Sequence, residues 1–264
     1  MSEKKNTITV RSVTLGDGFP KICVPVTARS LQELEKQVKN IRTVPCDMVE
    51  LRADFFEGDP IKELIALREA LPYLPILFTF RTKEEGGERK ITPEDYAALN
   101  RQAAGLRAMD KNPSRSEARP LADLIDLEYN RGEDFIRSLC HELQEGGVKV
   151  VMSYHDFEKT PEPDKITGLL TRMQQLGADI TKTAVMPRCE RDVLFLLHAA
   201  LEMKERLADR PYIMMSMGTP GGITRLAGTL TGSSVTFASA GAVSAPGQMD
   251  AAFVAQARSV LAGD

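Results

Sequence analysis

None of the spacings that hold a metal or a redox dithiol is present in these 264 residues. Cys23, Cys46, Cys140 and Cys189 form no CxxC pair, and no two of the three histidines stand three or four residues apart. The sequence therefore predicts no metal site, and the cysteines read as reduced packing residues of a cytoplasmic protein. Clustered positive charge is missing too. Lys and Arg total 34 against 37 for Asp and Glu, a formal charge of −3, and no basic block is interleaved with aromatics, so nucleic acid is not an expected partner. No 18 apolar residues run together, and MSEKKNTITV lacks the apolar core of an export signal. Neither a membrane span nor export is expected. No GxGxxG follows the first strand-like run, which continues TARSLQELE. A dinucleotide site therefore has no support.

What the chain does contain is a repeated unit. Short apolar runs begin at KICVPV (Lys21), MVELRA (Met48), PILFTF (Pro75) and LIDLEY (Leu124), and again at KVVMSYH (Lys149), ITKTAV (Ile180), YIMMSM (Tyr212) and SVTFAS (Ser234). Helical spacing separates them, as in Leu31, Leu34, Val38 and Ile41, or Phe135, Ile136, Leu139 and Leu143. Thr92 followed by Pro93 marks a helix start. Eight βα units in this length predict one closed (β/α)8 TIM barrel domain spanning 1–264, with 42% apolar residues to fill it. Residues 7–18 alternate and then turn at Gly16 to Gly18, which predicts an N-terminal β-hairpin. The polar stretch MDKNPSRSEARP reads as a surface insertion.

Several strands break the apolar lining of a barrel. Glu50 and Arg52, Thr79 and Arg81, Asp126 and Glu128, and Ser153 and His155 each recur at every second position, between apolar neighbours that suit the helix-facing side. They must point inward, where so many ionisable groups imply either a polar cavity or an ion-pair network that closes the barrel. Arg81 and His155 stand last in their strands, where barrel enzymes carry reacting groups. For His155, a turn residue bonded to backbone remains the other reading.

Lys182 lies at the middle of ITKTAV, where it has little room to reach water. It can pair with Glu50 or Glu128. Alternatively, burial beside arginines can leave it a neutral amine that attacks a carbonyl, forming an imine whose α-proton a base such as His155 removes.

Ordered segments carrying these residues resemble the type I 3-dehydroquinate dehydratases, the Schiff-base class of the shikimate-pathway enzyme. They are VELRADFF (49–56), FTFRTKEEGGE (78–88), MSYHDF (152–157), LGADITKTAVMP (176–187), MSMG (215–218), TRLAG (224–228) and SAPGQ (244–248). The resemblance spans nearly the whole chain. It implies a barrel, usually a homodimer, that converts 3-dehydroquinate to 3-dehydroshikimate for aromatic amino acid biosynthesis, without metal or cofactor. By position, Lys182 matches the imine-forming lysine, His155 the general acid/base and Glu85 the acid that supports it. Glu50, Arg52, Arg81, Arg225, Ser244 and Gln248 match residues around the substrate. Two departures stand out. Pro25 occupies a place where some members carry serine, and the loop GTPGGIT before Arg225 is glycine-rich. GTPGG and SAPGQ also admit a second reading, a phosphate rim after strands seven and eight, as in a Schiff-base aldolase acting on a sugar phosphate. A third is a barrel that binds a metabolite without turnover.

Overall fold

A computed structural model describes residues 6–109, 118–241 and 244–262. In chain order the strands are β1 (Ile8–Val10), β2 (Val13–Leu15), β3 (Lys21–Val26), β4 (Met48–Arg52), β5 (Ile76–Thr79), β6 (Arg107–Met109) and β7 (Ala118–Pro120). They continue with β8 (Leu124–Glu128), β9 (Lys149–Asp156), β10 (Ile180–Val185), β11 (Tyr212–Ser216), β12 (Val235–Ser239) and β13 (Met249–Asp250). The helices are α1 (Leu31–Ile41), α2 (Pro60–Ala70), α3 (Pro93–Gly105), α4 (Glu133–Glu145), α5 (Pro163–Gln175), α6 (Glu190–Glu202), α7 (Gly222–Leu226), α8 (Gly228–Thr231) and α9 (Ala251–Ala262).

All eight expected strands are present, and they join in the parallel order β11-β10-β9-β8-β5-β4-β3-β12, with the two-residue β13 beside β12. The ends of this sheet meet where Ser234 N–H donates to Tyr212 O at 2.8 Å, so the sheet curls into the expected (β/α)8 barrel. Local signals set the helices. Thr92 Oγ1 accepts from Asp95 N and Pro93 opens α3; Ser30 caps α1 in the same way. Helix α1 buries Leu34, Val38 and Ile41, while Leu31, expected on the same face, is 46% exposed. The polar insertion is flanked by β6 and β7, which pair antiparallel, and its centre, residues 110–117, lies outside the described residues.

The N-terminal hairpin is present, but its turn is not at Gly16 to Gly18. β1 pairs with β2 through Val10 and Val13, so Arg11 and Ser12 make the turn. Arg11 adopts φ 54°, unusual for a residue with a side chain. Its guanidinium is tied to Asp123 at 2.7 Å and to the carbonyls of Pro72 and Pro120. These bonds hold the strained conformation in place.

Strand alternation then sorts the barrel interior by height. Cys23, Met48, Leu77, Leu124, Val151 and Ile180 share one apolar cluster with Val10 and Leu15 of the hairpin, which form its floor. Two residues further along the same strands come Glu50, Thr79, Asp126, Ser153 and Lys182, all buried. Polar side chains thus begin above the floor, towards the C-terminal ends of the strands.

Candidate active site

Lys182 sits at the centre of β10, 4% exposed, and does not reach water past its neighbours. Its Nζ lies 3.4 Å from Glu50 Oε1 and 3.7 Å from Asp126 Oδ2, and 4.5 Å from the centre of the Phe237 ring. Two carboxylates thus flank the amine, while Arg52, Arg81 and Arg225 line the same cavity. Arg81 holds the other oxygen of one of these carboxylates. Its Nη2 donates to Asp126 Oδ1 at 2.7 Å, and its Nη1 to Glu128 Oε1 at 3.1 Å and Ser153 Oγ at 3.0 Å. Arg81 lies two residues past the end of β5 rather than at its last position. The ion-pair network and the polar cavity, set out as alternatives from the sequence, are both present. Arg52 belongs to the network as well, with both ends of its fork on Asp54 at 2.9 and 2.8 Å.

His155 is the next-to-last residue of β9 and is partly buried. Its backbone N–H does form a bond, but to a side chain rather than to turn backbone. Glu85 Oε2 lies 3.1 Å from that nitrogen and 3.0 Å from ring Nδ1. Glu85 ends a 3-10 turn, Lys83–Glu85, closed by Gly86 at φ 82°. A side chain at Gly87 would run into the Arg81 carbonyl, so the chain can fold back over the strand end only with glycine there. Asn130 Nδ2 donates to the other Glu85 oxygen at 3.0 Å. Burial acts on the pair in opposite senses. It pushes the Glu85 carboxyl up to about 8, and together with Arg81, Lys182 and Arg52 it holds the imidazole well below the usual histidine range. At 3.0 Å the two groups are close enough to share a proton.

Arg225 is 3% exposed, on α7, which packs against both β11 and β12. Thr224 Oγ1 there accepts from Ser216 N, and Thr236 Oγ1 donates to the Arg225 carbonyl. The guanidinium donates to Phe237 O at 3.3 Å and Pro246 O at 3.1 Å. Its Nε has no partner, and no carboxylate pairs with it among the described residues. Burial lowers its pKa to about 10. Ser244 and Gln248 hold each other: Gln248 Nε2 donates to Ser244 Oγ at 2.8 Å and Ser244 N to Gln248 Oε1 at 2.9 Å.

Lys182, His155, Glu85, Glu50, Arg52, Arg81, Arg225, Ser244 and Gln248 all line one cavity, whose empty space with its mouth is about 700 Å³. Phe157, Met215, Met217 and Phe237 line it too and escaped the sequence reading, since apolar residues in a strand carry no mark of a site. Asn130 gave no signal either. Pro25 is buried beside Glu50 in the ladder and does not line the cavity. The glycine-rich rim is engaged with itself. Gly218 N donates to Pro246 O, Gly222 N to Thr219 O and Thr224 N to Gly221 O, so these amides are not free to cradle a phosphate.

Comparison with known proteins agrees with this geometry. The sequence model of the type I 3-dehydroquinase family matches residues 22–264. A 3-dehydroquinate dehydratase of Clostridium novyi is 44% identical over 248 residues, 92% of this chain and 93% of that protein. One from Klebsiella pneumoniae is 43% identical over 261 residues, 97% of this chain and 99% of that protein. The crystal structure of type I 3-dehydroquinate dehydratase from Clostridium difficile with covalently modified comenic acid superposes with a TM-score of 0.88. It is 39% identical and covers 98% of this chain and 99% of that one.

Proposed function

The chain belongs to the type I 3-dehydroquinase family and dehydrates 3-dehydroquinate to 3-dehydroshikimate in the shikimate pathway; we propose that it does so through an imine on Lys182, with His155 moving the protons. Lys182 attacks the C3 ketone, and the iminium draws electrons from C2. His155 takes the C2 proton and, as imidazolium, gives it to the C1 hydroxyl, which leaves as water. Water then hydrolyses the conjugated imine and frees the lysine. Glu85 orients the ring and supports its charge. Arg225 receives the substrate carboxylate, while Glu50, Arg52, Arg81, Ser244 and Gln248 surround the ring hydroxyls.

One observation carries this reading: a lysine amine buried at a strand centre lines the same cavity as a histidine–carboxylate pair. Arg225 adds support, as a buried cation without a carboxylate of its own leaves room for one from the substrate. The aldolase reading lacks a corresponding observation, since the amides of Gly218, Gly222 and Thr224 on the rim are occupied. An ultraviolet assay for the conjugated enone of the product, run with a chelator present, tests the function. Steady product formation is expected, because the iminium supplies the electron sink; activity that needs an added divalent ion contradicts it.

A homodimer in the cytoplasm completes the proposal. Ile223, Leu230, Phe253, Val260 and Leu261 expose one apolar face that suits an interface, and four free cysteines suit a reducing compartment. No helix among the described residues is long and apolar enough to cross a membrane. Sedimentation velocity at micromolar concentration checks the dimer.

A further inference from the structure

An ammonium has no lone pair, so Lys182 must lose a proton before it can attack a ketone. Two acceptors flank it, and they are not equivalent. Glu50 Oε1, 3.4 Å from Nζ, already accepts from Thr79 Oγ1 at 3.0 Å, and Glu50 lines the cavity where substrate sits. Asp126 is completely buried. Its Oδ1 accepts from Arg81 Nη2 and from Ser153 Oγ, both at 2.7 Å, whereas Oδ2, 3.7 Å from Nζ, has no hydrogen-bond partner among the described residues.

A buried carboxylate oxygen without a donor calls for a reason. The surroundings hold it in place rather than let it find a donor. Two strong bonds pin Oδ1. The backbone is also fixed, because the β5–β8 ladder ends at Phe78 and Ile125 and the Tyr96 hydroxyl takes over beyond it. That hydroxyl donates to Asp126 O at 3.2 Å and accepts from Glu128 N at 3.1 Å.

We infer that Asp126 is a further catalytic residue, whose Oδ2 takes the proton from the Lys182 ammonium and returns it as the imine forms. This rests on the imine proposed above. An N–H bond breaks and an O–H bond forms on Oδ2. The freed pair on nitrogen makes the bond to the ketone carbon, while the C=O pair moves to oxygen. Of the two protons that nitrogen gives up, one passes from the carbinolamine nitrogen to its oxygen and the other, lent to Asp126, follows as that oxygen leaves as water. Net, ammonium and ketone become iminium and water, and the restored carboxylate is in place to act in the reverse sense when the product imine is hydrolysed.

Other titratable groups face the amine, and the test must separate them. They are Glu50 on β4, Cys23 on β3 and His155 on β9, while Arg81 after β5 binds Asp126 itself and Glu128 on β8. The experiment mixes enzyme with 3-dehydroquinate, stops with borohydride at short times and reads adduct formation by intact mass between about pH 6 and about pH 10. Melting temperature is measured alongside. Asp126→Asn is expected to form adduct at least about tenfold more slowly near pH 7, with the deficit shrinking as pH rises and hydroxide takes the proton instead. Asp126→Glu, which keeps a carboxylate, is expected to recover a larger part of the rate than Asp126→Asn.

A deficit equal at every pH, or equal in the two variants, makes Asp126 a support for Arg81 and overturns the inference. So does a rate that is unchanged or faster in Asp126→Asn, since Asp126 would then only hold the ammonium. Failure of the unaltered enzyme to give any adduct removes the imine itself, a result distinct from all of these.

Discussion

Glu85 holds His155 at two points: one carboxylate oxygen, Oε2, meets both the backbone N–H and the ring Nδ1, at 3.1 and 3.0 Å. Main-chain position and ring rotation are thereby set together, which leaves Nε2 as the nitrogen free for the substrate.

Removing the ring should therefore separate proton transfer from covalent capture. His155→Ala is expected to lose about 10²–10⁴-fold in kcat, the range for general acid–base assistance, while still forming an adduct with 3-dehydroquinate. Glu85→Gln keeps a hydrogen-bonding side chain and is expected to lose less. Turnover of the two variants gives the order, and the reverse order contradicts it.

The pair is also expected to set the acid limb of kcat/KM. Glu85 is pushed up to about 8 by burial and His155 is held low by burial and nearby cations, so a proton added to the pair stays near the carboxylate and removes the free base. Without the carboxylate, the imidazole keeps only the influences that lower its pKa. The limb in Glu85→Gln is expected at lower pH than in the unaltered enzyme. Profiles that coincide show that Glu85 does not share the proton.

Arg225→Lys keeps the charge but loses the planar fork. A charge-assisted bond contributes about 1.5–3 kcal/mol, so KM is expected to rise by about one to two decades. The melting temperature is expected to fall modestly, since contacts to Phe237 O and Pro246 O go too. A lowered melting point with unchanged KM assigns Arg225 to structure alone.

Glu63 in α2 predicts an effect on stability away from the cavity. It is fully buried, neither carboxyl oxygen has a hydrogen-bond partner among the described residues, and burial pushes it from 4.5 to about 9. Between those values the unfolded chain releases a proton that the folded chain keeps, so stability falls as pH rises through this window. Glu63→Leu should remove the penalty, a gain of about 1–3 kcal/mol near pH 8 that shrinks towards pH 4.5. Urea unfolding at about pH 5 and about pH 8 measures it; an equal difference at both contradicts the prediction.

Much of the barrel was legible because each strand repeats one local pattern, and Glu50, Asp126 and Lys182 were conspicuous as polar residues inside it. What escaped depended on partners remote in sequence. The hairpin turn fell at Arg11 rather than at the glycines because Asp123 and two carbonyls hold that arginine's side chain. Nothing local in ITRLAGTL marks Arg225 as buried; it is buried because α7 packs against both β11 and β12. Glu50 was foreseen as a partner of Lys182, but the second carboxylate beside the amine is Asp126 rather than Glu128, a choice that depends on how neighbouring strands are staggered and not on any local pattern.

Borohydride reduction in the presence of 3-dehydroquinate, followed by peptide mass mapping, tests the central claim most directly. A substrate-sized adduct on the peptide carrying Lys182 is expected, with none in Lys182→Ala and none in Lys182→Arg, whose guanidinium stays protonated and cannot form the imine. An adduct on another lysine, or a Lys182→Ala variant that still turns over, would contradict it.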